Sequence, residues 1–94
     1  MLNTKLRVEC TIDIQQDEAQ CVAHAMPLDV MSSGYSRDGA RRALAEAVLL
    51  FLKTAADLGT LEDVLDDCGY TWRGEEWVCP MSACPEKRTF EIGE

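Results

Sequence analysis

A strict alternation of apolar and polar side chains near the start of the chain restricts its fold most strongly. The segment KLRVECTIDI has an apolar side chain at every second position and a polar one between. Because successive side chains of a β-strand point to opposite faces, this period predicts a strand over residues 5–14 with one buried face. The side chains of that face are Leu6, Val8, Cys10, Ile12 and Ile14.

Two further segments predict partners for this strand. After the polar turn QQDEA, the segment QCVAHAM alternates and predicts a second strand, and therefore a hairpin. Pro27 ends this pairing because proline has no backbone N–H to donate. The segment VMSSGYS then predicts a short third strand that leads into a helix.

Residues 37–58 are predicted to form one long helix. Ser36 is a good N-cap because its hydroxyl accepts a hydrogen bond from a free backbone N–H, and Asp38 suits the positive end of the helix dipole. Gly59 favours the left-handed conformation that ends a helix. At 100° per residue, the face predicted to cover the sheet comprises Ala40, Leu44, Ala47, Val48, Phe51, Ala55 and Leu58.

The helix has more apolar surface than one sheet-facing stripe requires. Its segment AVLLFL places Leu49 and Leu50 beside the polar pole of the helix, where exposure would forgo about 1.5–3 kcal/mol of burial for each. We therefore predict that residues 61–78, or a second subunit, cover both leucines through Leu61, Leu65 and one tryptophan. A homodimer is favoured because 94 residues provide a small core.

The rest of the chain predicts a short helix, a hairpin and a last strand. Thr60 is the predicted N-cap and Gly69 the predicted end of the short helix. Its apolar residues recur every three or four positions, so they form one buried stripe: Leu61, Val64, Leu65 and Cys68. The segment YTWRGEEWVC predicts a β-hairpin in which Trp72 and Trp77 pair across the strands, and TFEI predicts a strand. The polar face of the short helix is entirely acidic, with Glu62, Asp63, Asp66 and Asp67.

Length and charge restrict the class of protein. The 94 residues predict a single domain, with a core over 5–58 and an acidic helix–hairpin tail over 60–94. The net charge is −8, and residues 54–94 have ten acidic and three basic side chains. This half would repel nucleic acid and attract a basic protein. Without a signal or membrane-spanning pattern, we expect a cytoplasmic location.

The five cysteines are expected to be reduced thiols, because their number is odd and no export signal is present. The alternatives are a zinc site that includes Cys68, Cys79, Cys84 and His24, or a disulfide between Cys79 and Cys84. We expect no metal and no cofactor.

The sequence disfavours two catalytic alternatives. The first is His24 as a catalytic base, but the sequence indicates no serine or cysteine nucleophile with a supporting aspartate near it. Asp13, Asp29 and Glu46 would form a magnesium-binding cluster only if they converged, whereas Asp13 and Glu46 are predicted to point away from one another.

Residues 5–58 resemble the HicB-like antitoxin family, the small partners of HicA toxins. CVAHAMP is similar to the family's second strand, SGYS to the approach to its helix, and SRDGARRALAEAVLLFLK to that helix, with Ser36 at the cap. The resemblance implies an α+β, partial ribonuclease-H-like βββαβ domain, with a three-stranded antiparallel sheet on one long helix. The acidic tail has no match to the family's DNA-binding module.

The resemblance and the charge together predict a non-enzymatic antitoxin that masks a small basic RNA-cleaving toxin, without binding nucleic acid itself. One alternative is an oligomeric adaptor of the same fold without a toxin, and another is a small metal-dependent nuclease. The predicted partner-binding residues are Glu62, Asp63, Asp66, Asp67, Trp72 and Trp77, and the predicted oligomer or tail interface consists of Leu49, Leu50, Leu61 and Leu65.

Overall fold

The structure, a computed structural model, describes residues 5–74, 76–80 and 86–93. Within these residues the chain forms six strands and two helices. Their bounds are β1 Lys5–Asp17, β2 Gln20–Met26, β3 Val30–Gly34, α1 Arg37–Leu58, α2 Leu61–Asp67, β4 Thr71–Arg73, β5 Glu76–Val78 and β6 Lys87–Gly93. None of the helices in these ranges is both long enough and apolar enough to span a membrane.

The fold is α+β, as predicted, but its sheet is not three-stranded and antiparallel. The described strands form a six-stranded mixed sheet. The predicted part is present, because β1 pairs antiparallel with β2, and β2 with β3. The correction comes from the tail: β5 pairs parallel to β1, β4 pairs with β5, and β6 pairs antiparallel to β1.

Strand β1 is the centre of the sheet because it is long enough to pair with three others. Arg7 and Val8 each have partners in both β5 and β6, so these two strands lie on opposite sides of β1. Thr11 has partners in both β2 and β6, Met26 and Lys87, so β2 and β6 also lie on opposite sides. Therefore β5 and β2 lie on the same side, one against each half of β1.

The first hairpin is longer than predicted. The segment QQDEA was expected to be a turn, but β1 continues through Asp17 and the turn is reduced to two residues, Glu18 and Ala19. The strand extends because backbone pairing continues across the hairpin, with Gln15 opposite Val22 and Asp17 opposite Gln20. The polar side chains of this segment are compatible with a strand because they point into solvent. Both faces are otherwise as predicted, with Cys21 and its alternate neighbours buried.

Helix α1 begins and ends where the sequence predicts. The Ser36 hydroxyl accepts a hydrogen bond from the Gly39 backbone N–H at 3.0 Å. Gly59 has φ 78°, and its N–H donates to the Ala56 carbonyl at 3.1 Å. The N-terminal end lies very close to β3, since a Cβ on Gly34 would be 2.6 Å from the Ala40 backbone nitrogen.

The face that α1 presents to the sheet differs from the predicted face. Phe51 is 37% exposed and Leu58 is 72% exposed, although both were expected to be buried. The close approach at Gly34 turns Ala40 inward, and the stripe that repeats every three or four residues from Ala40 then covers the sheet. Its buried residues are Ala40, Leu44, Val48, Leu52 and Ala55.

Helix α2 completes the core. Leu61 and Leu65 are 5% and 0% exposed, and both belong to the same buried cluster as the α1 stripe and the inner face of β1. Thr60 occupies the N-cap position, as predicted, but its side chain makes no capping hydrogen bond and instead donates to the Ala55 carbonyl at 3.4 Å. The Thr60 hydroxyl therefore ties α2 to the last turn of α1.

Candidate functional site

The predicted acidic face of α2 is exposed. Glu62, Asp63, Asp66 and Asp67 all lie in solvent, while Leu61 on the other side of the helix is buried. No ion pair within the described ranges includes any of the four carboxylates. The surface is therefore a concentration of negative charge that nothing in this part of the chain neutralises.

The position of this charge on α2 is unfavourable at one end. Asp66 and Asp67 lie in the last turn, where the free carbonyl groups already give the helix partial negative charge, and this turn has no basic side chain. Glu62 and Asp63 lie in the first turn, where the dipole stabilises them. A cationic partner would therefore interact most favourably with the C-terminal pair.

The two tryptophans pair across the second hairpin as predicted. Trp72 in β4 lies directly opposite Trp77 in β5, and their ring centroids are 5.1 Å apart with an interplanar angle of 54°. Trp77 packs against the core beside its pairing partner Val8, whereas Trp72 is 44% exposed. The pair thus presents one supported aromatic ring to solvent.

A buried tyrosine fixes the connection between the acidic helix and the hairpin. The Tyr70 backbone N–H donates to the Leu65 carbonyl at 3.0 Å, and the Tyr70 hydroxyl lies 3.4 Å from Cys10 Sγ. Burial, followed by repulsion from the Cys10 thiolate that forms at high pH and by the hydrogen bond with Cys10, raises the pKa of Tyr70 far above its usual range. The neutral ring therefore holds this connection against β1 at physiological pH.

The cysteines near Tyr70 are poorly suited to reactivity or metal binding. Burial raises the pKa of Cys10 to about 11, and burial also raises the pKa of Cys68. Protonated thiols are weak nucleophiles and weak metal ligands. Among the described residues, no group of three or more cysteine, histidine or acidic side chains has a metal-binding arrangement. Cys84 lies outside the described residues, as do the zinc and disulfide alternatives that involve it.

The residues of the two catalytic alternatives are only partly brought together. His24 Nε2 lies 2.6 Å from Asp29 Oδ1, and Asp13 is directly opposite His24 across the β1–β2 pair. This face of the hairpin is the one opposite the buried face. Glu46 lies on α1, which packs on the other side of the sheet, so the three proposed carboxylates do not converge.

The leucines of the predicted oligomer or tail interface fall in three different environments. Leu61 and Leu65 are in the core, so they do not cover the outside of α1. Leu49 is partly buried and lines an open groove with Phe90 of β6. Leu50 is 67% exposed. The prediction that residues 61–78 cover both leucines within one chain is therefore wrong, because consecutive helical side chains point about 100° apart and only Leu49 lies on the side of β6.

Sequence reasoning missed two features of α1. Arg41 binds Glu86 through two hydrogen bonds, Nε to Oε2 at 2.9 Å and Nη2 to Oε1 at 3.2 Å, and no local pattern links residues so far apart. The exposure of Phe51 and Leu58 was also missed, although the apolar excess of AVLLFL indicated that Leu50 would be uncovered. Among the described residues, the exposed large apolar side chains are Met31, Tyr35, Leu50, Phe51, Leu58 and Trp72.

Comparison of this chain with family models, with curated proteins and with solved structures finds no match in any of the three.

Proposed function

We propose that this chain is a non-enzymatic binding protein that masks the RNA-binding face of a small basic RNA-cleaving toxin in the cytoplasm, as HicB-like antitoxins do. The observation that carries the proposal is the unneutralised acidic face of α2, which three residues connect to a hairpin that presents an exposed tryptophan. The resemblance of residues 5–58 to that family supports the choice of partner.

The two parts of this surface have different roles in the proposed complex. A toxin that binds RNA has a positive face, and the α2 carboxylates would attract that face and raise the rate of encounter. Trp72 would provide the apolar contact that slows dissociation, because large aromatic side chains dominate the energy of most interfaces. The toxin would then be inhibited because its RNA-binding face is covered.

The first test is co-expression of the full chain with the product of the adjacent open reading frame, followed by co-purification and an RNA-cleavage assay. We expect a stable complex that does not cleave RNA, and cleavage by the toxin alone. If no basic protein is encoded nearby, or if the two proteins do not co-purify, the masking function is wrong and the adaptor alternative gains support.

The second test separates steering from general charge. In the double variant Asp66→Lys with Asp67→Lys, we expect the association rate to fall by about tenfold or more at low salt. The matched control is Asp17→Lys with Glu18→Lys, which changes the net charge equally at the exposed end of the first hairpin. Equal losses in both double variants, measured by stopped-flow or surface plasmon resonance, would show that the α2 face has no specific role.

Trp72→Ala should act on the other rate constant. We expect faster dissociation with little change in association, because Trp72 carries no charge. Trp77 packs against the core, so its substitution would confuse stability with binding. An unchanged dissociation rate in Trp72→Ala would remove the hairpin from the proposed interface while leaving the acidic face in place.

A further inference from the structure

One side of α1, here called the outer flank, is apolar and uncovered. At 3.6 residues per turn its members occupy an arc of about 100°. Leu50, Phe51 and Leu58 are 67%, 37% and 72% exposed, and Thr54 is also exposed. The smaller residues of the outer flank, Ala43 and Ala47, are partly exposed.

The side chains of the outer flank are graded by size along the helix. Its N-terminal half has Ala43 and Ala47, and its C-terminal half has Leu50, Phe51, Thr54 and Leu58. In an antiparallel pair of identical helices, Leu58 of each copy would lie over Ala43 of the other, and Thr54 over Ala47. Leu50 and Phe51 would meet at the centre. At the two ends of the pair, the large Leu58 would thus meet the small Ala43, which is the arrangement that close packing requires, while the large side chains at the centre would form the apolar core of the interface.

The charges that border the outer flank are complementary in the same arrangement. Arg42, Glu46, Lys53 and Asp57 follow one another along the solvent-facing edge of α1, and all four are exposed. Antiparallel packing would place Arg42 near Asp57 of the other copy, and Glu46 near Lys53. A parallel two-fold pair would instead place the two charged edges on opposite sides of the interface, where they could form no intermolecular pairs. The charge pattern therefore favours a second copy, and only in the antiparallel direction.

These four charges are available for such contacts. None of them belongs to an ion pair within the described part of the chain. Arg42 and Glu46 are four residues apart, as are Lys53 and Asp57, but in both cases the base precedes the acid. This order is the less favourable one for a pair within a helix, because it opposes the helix dipole.

We propose that a second copy of this chain docks on the outer flank, with the two α1 helices antiparallel. The interface consists of the six outer-flank residues, bordered by the two intermolecular charge pairs. It uses neither the α2 carboxylates nor Trp72, so it is independent of the proposed toxin-binding function and leaves that surface free.

The primary experiment measures the oligomeric state of the full chain by sedimentation equilibrium. We expect the wild-type protein to be a dimer at about 100 μM, a concentration at which micromolar association is nearly saturated. The double variant Leu50→Glu with Leu58→Glu should weaken dimerisation at least about tenfold, because it places charge in an apolar interface. Far-UV circular dichroism should be unchanged, since both side chains are exposed in one chain.

The matched control replaces two exposed apolar residues outside the outer flank. Met31→Glu with Trp72→Glu alters side chains that are 58% and 44% exposed, with the same change of charge. We expect this variant to remain dimeric. A monomeric wild-type protein would overturn the proposal, and so would equal weakening of the dimer by the control and test variants.

A charge exchange tests the direction of packing. Glu46→Lys and Lys53→Glu should each weaken the dimer, because each creates two like-charge contacts across the two-fold axis. Combining both substitutions should restore most of the lost affinity, since the intermolecular pair is then reversed rather than lost. If the loss of dimerisation free energy in the double variant equals the sum of the losses in the two single variants, antiparallel packing on the outer flank is wrong.

Discussion

The two sides of α1 are similarly apolar in sequence but have opposite environments. On one side, here called the inner flank, Leu49 is partly buried beside Phe90 of β6, and Arg41 binds Glu86 at the start of that strand. On the outer flank, Leu50 is 67% exposed. The difference arises because β6 pairs with β1 beneath the inner flank. A helix pattern therefore reveals how much apolar surface exists, whereas a distant strand decides which part is covered.

The largest effect should distinguish the sheet-facing stripe of α1 from its outer flank. Leu44 is 1% exposed, so Leu44→Ala removes buried methyl groups and leaves a cavity, with an expected loss of about 2–5 kcal/mol in the free energy of unfolding. Leu50→Ala makes the same change in the same helix at an exposed site. We expect a loss of less than about 0.5 kcal/mol there, measured by urea denaturation of the monomer.

Protein concentration provides the control for this comparison. If α1 forms the proposed dimer, the stability of the wild-type protein will rise with concentration, and that of Leu50→Ala will rise less. The Leu44→Ala loss should be similar at every concentration. Equal losses for the two leucine variants in dilute protein would show that the outer flank is covered within a single chain.

A second prediction concerns the contact that sets the rotation of α1. A methyl group on Gly34 would lie 2.6 Å from the Ala40 nitrogen and 2.7 Å from the Gly39 carbonyl carbon. Because these are backbone atoms, Gly34→Ala should force the helix away from β3 and cost about 1–3 kcal/mol.

Gly39→Ala is the matched control for this contact. Its new methyl group would lie 3.2 Å from the Ser36 hydroxyl, a contact that a shift of a few tenths of an ångström relieves while the cap to the residue 39 N–H is kept, and alanine is the better helix former by about 1 kcal/mol. We therefore expect Gly39→Ala to be neutral or stabilising in thermal unfolding. Stability losses of equal size in both variants would mean that the β3–α1 contact does not determine the position of the helix.

Local pattern predicted the elements whose partners are near in sequence. The alternation around Val8, the cap at Ser36 and the stop at Gly59 each depend on a few neighbouring residues, and all three predictions are confirmed. The pairing of Trp72 with Trp77 is of the same kind, because only a short turn separates them.

The rest of the fold depends on contacts that no local pattern contains. Pairing of β5 and β6 with β1 joins residues separated by most of the chain. Periodicity can therefore predict that these strands exist, but it cannot predict which strands pair with each other. The buried face of α1 was predicted incorrectly for a related reason. Helical periodicity shows which residues share a face, but the contact of α1 with Gly34 determines how the helix is rotated on the sheet. The acidic face of α2 was predictable because a single helix carries it.

A third prediction tests the core beneath α1 with alkaline pH. Burial raises the pKa of Cys10 from 9.0 to about 11, and burial raises the pKa of Tyr70 still further. In the unfolded chain these groups lose their protons first, so the unfolded state is favoured as pH rises. The contribution of these two groups to stability should be constant below about pH 9 and should fall between pH 9 and 11, by at most about 1.4 kcal/mol per pH unit for each group.

Two variants identify the groups responsible for the alkaline loss. Cys10→Ala removes the thiol and Tyr70→Phe removes the phenol, while both retain an apolar side chain in the core. Each should be less stable at pH 7, but each should lose less further stability between pH 9 and 11 than the wild-type protein does. Urea denaturation at several pH values measures this slope. A wild-type slope in both variants would assign the loss to other groups.

The smallest expected effect concerns the ion pair that ties the inner flank to β6. Arg41 and Glu86 are joined by two hydrogen bonds, and the bond to Glu86 raises the pKa of Arg41. Both side chains are about one third exposed, at 36% and 34%, so water weakens their attraction. Arg41→Ala should lower the melting temperature less than Leu44→Ala does, and the loss should shrink in 1 M salt, where the screening length is about 3 Å.

Arg42→Ala is the control, since Arg42 is exposed and belongs to no ion pair in the described ranges. Both variants are measured in dilute protein solution. If Arg42→Ala then lowers the melting temperature as much as Arg41→Ala does, the contact between Arg41 and Glu86 does not stabilise the packing of α1 on β6.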